Sequence, residues 1–186
     1  MNGQSPPFRR PRRLEGPRLR LREAGAADAA FILRLRRDPR YGRHLSATDD
    51  DLARQIAYVE ACQADPGQIY FLIERLDGRA VGTVRLYDRR GDSFCWGSWI
   101  LSDQKPAYAA IETTLLVYHY ALACGFKAAH GEMRRANAAV WRFHEHYGGV
   151  RTGEDEETVS YAIDRAAIER ALARYRRFAP SLRIEF

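Results

Sequence analysis

Lysine is almost missing from this 186-residue chain. Lys105 and Lys127 are the only two, and arginine supplies the other cations, a pattern that looks like a codon bias. Cysteine is scarce as well. Cys62, Cys95 and Cys124 are widely spaced and odd in number, which argues against a disulfide framework or a zinc site and for a reducing cytoplasm. No run of about 18 apolar residues occurs, so no transmembrane helix is expected. The basic start, MNGQSPPFRRPRRLEGP, has no apolar stretch behind it and does not read as a secretory signal. What is present is an ordinary apolar share, 46%, which excludes general disorder. The length suits one domain with a core of its own.

The formal charge is +6. Such an excess is a first hint of a nucleic-acid partner. Its distribution weakens the hint. Residues 1–22 hold Arg9, Arg10, Arg12, Arg13, Arg18, Arg20 and Arg22 against the single acid Glu15. Residues 23–186 carry 23 basic and 23 acidic residues. The body is neutral, and nucleic acid is a disfavoured partner. Three prolines and few apolar groups make residues 1–16 a flexible leader, either a solvated arm or a phosphate-binding one.

Arg18–Arg22 alternates like a half-buried strand. Residues 26–37 read as a helix ended by Asp38-Pro39, and Thr48 is the expected N-cap of a second helix that closes at Asp65-Pro66-Gly67. Gln68–Arg75 and Ala80–Tyr87 form a hairpin across Asp77-Gly78, and Ser93–Leu101 is a third strand. A helix follows from about residue 105 to Cys124, with Gly125 as its stop. Lys127–Met133 is a strand, residues 136–147 a helix, Thr158–Ile163 a strand, and Asp164 caps a last helix to about Phe178. This order predicts an α/β (α+β) fold, a mixed central sheet of about six to seven strands flanked by helices. The domain spans residues 17–178, with a tail at 179–186.

Two segments carry chemistry. The first is the strand-to-helix turn Ser102-Asp103-Gln104-Lys105-Pro106-Ala107-Tyr108-Ala109-Ala110. A helix N-terminus offers free N–H groups and a positive dipole end, the small residues permit close approach, and Lys105 stands at the mouth. The second is Asn137 through Gly149, in which Asn137, Val140 or Trp141, and His144 share one helical face, while Phe143 and Tyr147 share another suited to the core. His144 and His146 diverge on a helix and find no third ligand, so no metal site is expected.

Together these segments resemble the GNAT superfamily of acetyl-CoA-dependent N-acetyltransferases over residues 17–163. The superfamily's pyrophosphate loop, [Q/R]-x-x-G-x-[G/A], falls on Lys105-x-x-Tyr108-x-Ala110 when registered on Glu112 and Tyr120-Ala121. The later motif, an Asn followed by a helix that ends in an aromatic and Gly, falls on Asn137 to Gly148. The resemblance implies the GNAT fold and acetyl-CoA as cosubstrate, without a metal. It implies cofactor contacts at Trp99, Ile100, Leu101, Lys105, Ala107, Tyr108, Ala109, Ala110, Asn137 and Val140. It puts His144 at the position, usually Tyr, whose group protonates the leaving thiolate. The sequence departs from the pattern where Tyr108 replaces the loop's Gly: a Tyr with a helical backbone can still point its N–H at a phosphate, but it crowds the approach that Gly allows. It departs again where Cys95 and Trp96 stand in place of the Glu that many relatives use as general base.

Gly82–Asp88, Gly97–Leu101 and Phe143-His144-Glu145 resemble, more narrowly, members found with surface-polysaccharide biosynthesis, which acylate the amine of a nucleotide-linked amino sugar. That resemblance implies a small-molecule amine acceptor held by Tyr87 and Trp99, no membrane contact, a cytoplasmic site of action and room for a homodimer. Members that acetylate N-termini of ribosomal proteins share much of the pattern, and so would a GNAT-fold protein that has lost catalysis and binds an acidic partner through the arginine arm. Acyl transfer itself needs a neutral amine, donors for the oxyanion such as an N–H near Leu101, and an acid of modest strength for the thiolate. His144 could serve as a cation or relay through water.

Overall fold

A computed structural model describes residues 5–42 and 48–186. The strands are β1 (Arg13–Glu15), β2 (Leu19–Glu23), β3 (Ile69–Arg75), β4 (Ala80–Arg90), β5 (Ser93–Leu101), β6 (Ala128–Arg134), β7 (Val150–Glu154), β8 (Thr158–Ile163) and β9 (Arg183–Glu185). The helices are α1 (Ala29–Arg37), α2 (Pro39–Gly42), α3 (Leu52–Ala64), α4 (Ala109–Cys124), α5 (Ala138–His146) and α6 (Arg165–Tyr175). All nine strands form one sheet in the order β7-β8-β6-β5-β4-β3-β2-β1-β9. Every neighbouring pair is antiparallel except β5 and β6. The mixed α/β class is as expected. The strand number exceeds the expected six to seven because three short strands lie at the sheet's two edges.

The run Ile69-Tyr70-Phe71-Leu72-Ile73 is buried on both faces, which is why β3 reads as continuously apolar. Ile69, Phe71 and Ile73 join the larger core with α4 and α6, while Tyr70 and Leu72 join a smaller one with Ile32 of α1 and Val59 of α3. Helix α4 is apolar nearly all round because it is buried nearly all round. Its fully buried Glu112 accepts hydrogen bonds at 2.8 Å from the amides of both Arg18 and Leu19, which ties the start of β2 to the helix.

The leader is not a free arm in its described part. Phe8 is buried between Phe94 and Phe126, the Tyr120 hydroxyl donates to the Arg9 carbonyl at 2.7 Å, and residues 13–15 are strand β1. The expected C-terminal tail supplies β9, which pairs with β1 from Arg13↔Glu185 to Glu15↔Arg183. One buried aromatic and a three-residue strand outweigh the proline-rich composition that suggested flexibility. Strand β7 was not expected either, since all five of its residues are exposed and carry no apolar alternation. The N-cap of α3 is Asp51, whose carboxylate accepts from the Arg54 amide at 3.0 Å, and not Thr48, whose hydroxyl is taken by Arg36. Helix α4 begins at Ala109 rather than near Lys105, because the chain first turns twice, from Ser102 to Lys105 and from Pro106 to Ala109.

Candidate active site

Strands β5 and β6 pair only from Ser93↔Ala128 to Cys95↔His130. Beyond that point β5 continues along β4 to Leu101, and β6 continues along β8 to Arg134. The facing backbone edges thus part inside the sheet. A bulge sharpens the bend. Ser98 has φ +46°, the β4–β5 register shifts between Thr83 and Arg85, and the Thr83 hydroxyl donates to the Ser98 carbonyl at 2.9 Å. Gly82 permits it, since a Cβ there would stand 2.2 Å from the Ile100 carbonyl oxygen. Rings line the parting: Trp96 lies 5.2 Å from Trp99 and 4.9 Å from His144, Trp99 lies 5.2 Å from Phe143, and His144 stacks on Tyr161 at 4.5 Å.

At the open end of β5 stands the α4 N-terminus. The Lys105 amide donates to the Ser102 carbonyl and the Ala109 amide to that of Pro106. Among the described residues the amides of Ala107, Tyr108, Ala110 and Ile111 have no backbone acceptor. These donors suit a pyrophosphate, and Lys105 stands exposed beside them. Ala109, an expected cofactor contact, is 1% exposed and its amide donates to Pro106 within the turn, which leaves the Ile111 amide rather than its own without a backbone acceptor. Tyr108 is not right-handed helical: at φ 64° and ψ 13° it adopts the left-handed conformation that glycine takes easily. The residue is 54% exposed, and its ring lies 4.8 Å from that of Phe178. The residue departs from the glycine of the loop pattern, while the backbone keeps the shape a glycine would have.

His144 is buried, and its Nδ1 has no hydrogen-bond partner. Burial alone pushes its pKa down to about 4. That favours the neutral imidazole at pH 7, which suits the water relay of the two expected roles better than the cationic one. His144 also sits on the core side of α5 with Tyr147, whereas Asn137 and Val140 are half-buried and Phe143 packs on Trp99. The Asn137 side chain makes no cap bond, and its carbonyl accepts from the Val140 amide at 3.0 Å.

Tyr87 and Trp99, the two expected acceptor contacts, stand in different clusters. Tyr87 lines a cavity of about 500 Å³ with Asp88, Cys95, His130, Glu132 and Tyr161. On its wall His130 Nε2 lies 3.3 Å from Asp88 Oδ2, and off the wall Ser93 Oγ lies 2.8 Å from His130 Nδ1. Burial acts against ionisation of Asp88, yet hydrogen bonds with Arg90 and His130 hold its carboxyl below the usual carboxylate range. Cys95, at the position of the missing Glu, is buried and its thiol is pushed up by burial. Sequence reasoning missed Asp88, Ser93 and His130, because only the strand register brings them together. Tyr161 joins the two clusters, stacking on His144 and lining the cavity.

Comparison with known proteins agrees with this geometry. The family model described as "Acetyltransferase (GNAT) domain" matches residues 18–150. The chain belongs to the GNAT acetyltransferase family and is an N-acetyltransferase, a class that uses acetyl-CoA. Among solved structures it is similar to apo FdhC, described as a nucleotide-linked sugar GNAT, at 33% identity and a TM-score of 0.80 over 90% of this chain and 98% of that one. It shares its fold with a GCN5-related N-acetyltransferase from Brucella melitensis, at 16% identity and a TM-score of 0.76 over 95% of this chain and 90% of that one. The same holds for the spermidine N-acetyltransferase of Vibrio cholerae solved with CoA and spermine, at 14% identity and a TM-score of 0.71 over 81% and 98%. Curated protein sequences contain no match. Among the described residues no helix is long and apolar enough to cross a membrane.

Proposed function

We propose that this enzyme transfers acetyl from acetyl-CoA to a primary amine on a nucleotide-linked amino sugar, in the cytoplasm and in the service of surface-polysaccharide biosynthesis. The observation that carries the reading is the 33% identity, over nearly the full length of both chains, to a protein described as a nucleotide-linked sugar GNAT. Three free, buried thiols support a reducing compartment.

In this reading Lys105 and the amides of Ala107, Tyr108, Ala110 and Ile111 hold the CoA pyrophosphate. The β5 backbone from Trp99 to Leu101, unpaired on the β6 side, holds the thioester arm and supplies an oxyanion donor. Asn137 and Val140 border the same arm. Tyr87 and Trp99 contact the acceptor. The reaction forms an N–C bond, breaks a C–S bond and moves a proton from the amine to solvent. His144, neutral at pH 7, works as one link of a water relay that returns a proton to the thiolate. Holding the amine and thioester together supplies much of the remaining rate.

The test is a turnover assay with acetyl-CoA and a panel of acceptors: amino-sugar nucleotides, a free amino sugar, spermidine and peptides with ribosomal-protein N-termini. Release of CoA with acetylation of an amino-sugar nucleotide, at a kcat/KM above every other acceptor, is the expected result. Preference for a peptide or for spermidine overturns the reading.

A further inference from the structure

Arg85 stands in the middle of β4, opposite Gly97 of β5. It is half-buried, and its guanidinium carbon lies 4.2 Å from the centre of the Tyr87 ring and 5.9 Å from that of Tyr58. One terminal nitrogen, Nη1, donates to the Tyr58 hydroxyl and, at 3.3 Å, to Gln68 Oε1. Nε is buried and has no partner. Burial acts against the guanidinium's charge, while the Tyr58 and Tyr87 hydroxyls and the Cys62 thiol act for it and leave its pKa raised; among the described residues no carboxylate forms an ion pair with it. Of the acids along the nearby walls, Glu132 is exposed and makes no ion pair with Arg85, and the others are engaged elsewhere. Asp49 pairs with Arg54, Asp51 caps α3, and Asp88 pairs with Arg90 and His130.

A guanidinium taken partly out of water without a counter-charge is unfavourable in the free protein. Every N–H on it is a donor, and the group cannot shed its charge. An arriving anion removes the imbalance, and the planar fork suits phosphate oxygens. The position fits an acceptor. Tyr58 lines one cavity, with Arg36 and Arg54 on the same wall, and Tyr87 lines the other. Arg85 contacts both rings, although it is itself on the wall of neither cavity. A Cβ on Gly97 would lie 2.9 Å from the Tyr87 hydroxyl, so the ring beneath the guanidinium reaches the strand residue beside the Ser98 bulge.

We propose that Arg85 is the anion-binding residue of the acceptor site, and that its ligand is the diphosphate of the nucleotide-linked acceptor. This rests on the acceptor reading above and adds the group that recognises its charge. Titration calorimetry tests it with UDP and dTDP as probes, on the full chain saturated with CoA so that the CoA phosphate site is filled. At least one nucleoside diphosphate binds, and Arg85→Gln weakens it by about tenfold or more while CoA affinity changes by less than about twofold. Arg85→Lys keeps the charge, loses the fork and falls between, and it replaces Arg85→Gln in the comparison should that variant melt early. No binding of either probe by the natural protein overturns the proposal, and so does equal binding by the natural protein and the folded variant. Acetylation of an amino-sugar nucleotide with Arg85-independent binding defeats this inference alone. Arg85-dependent binding of UDP or dTDP, with no turnover of any amino-sugar nucleotide, defeats the functional reading and leaves the anion site standing.

Discussion

His144 is 4% exposed, boxed by Trp96, Phe143 and Tyr161, and its folded pKa is about 4 against an ordinary 6.5. The sign of the linkage follows. Between those two values the unfolded chain binds a proton that the folded chain refuses, so stability is full above pH 6.5 and declines as the pH falls towards 4. The decline amounts to about 3 kcal/mol. His144→Phe keeps the ring and removes the titration, so its urea-denaturation stability should lose that acid slope, measured at pH 7 and pH 5 beside the natural protein. The same variant should lower turnover by about 10²–10⁴-fold with CoA affinity retained. Unchanged turnover removes His144 from the proton relay, and an unchanged slope means that its imidazole is already solvated. The sequence pointed to this residue by its place in a motif. It did not reveal the charge state, because Trp96 and Tyr161 come from strands far along the chain.

At the scale of elements, the strands with local signals were legible. The Asp77-Gly78 turn and the apolar runs on either side define the β3–β4 hairpin, and β5, β6 and β8 lie close to their expected bounds. The edge strands were not legible, since β1 and β9 have three residues each and β7 is wholly exposed. The start of α4 was hidden for a different reason. Its shape depends on Tyr108 accepting a left-handed backbone, which nothing in a tyrosine announces. That conformation gives a prediction that runs against helix propensity. Tyr108→Gly should be more stable than Tyr108→Ala by about 1 kcal/mol, because Gly meets no Cβ penalty at positive φ. Both variants lose the ring's contact with Phe178, so the comparison isolates the backbone. Urea denaturation of the pair decides it, and an Ala variant as stable as the Gly variant means that the turn is not left-handed in solution.

For the molecule as a whole, the arginines of residues 1–22 change meaning. Arg10, Arg13, Arg18, Arg20 and Arg22 form ion pairs with Glu23, Glu15, Glu112, Glu74 and Asp28 respectively. Arg9 lies 3.6 Å over the Phe186 ring. Five of the seven arginines thus neutralise acids of the fold itself, and the two ends of the chain close the sheet's edge through β1 and β9. An arm that could peel away to bind an acidic partner would have to unzip that edge and pull Phe8 from its pocket. Deleting residues 1–16 cannot separate binding from folding, since β1 and Phe8 leave together. Phe8→Ala does separate them, because it leaves all seven arginines in place. A buried Phe truncated to Ala costs about 3–5 kcal/mol. We expect a loss of that size in urea denaturation at pH 7, with the acetyl-CoA affinity of the folded protein kept. Stability indifferent to Phe8→Ala would return the segment to a detachable arm, and with it the reading in which its positive charge faces outward.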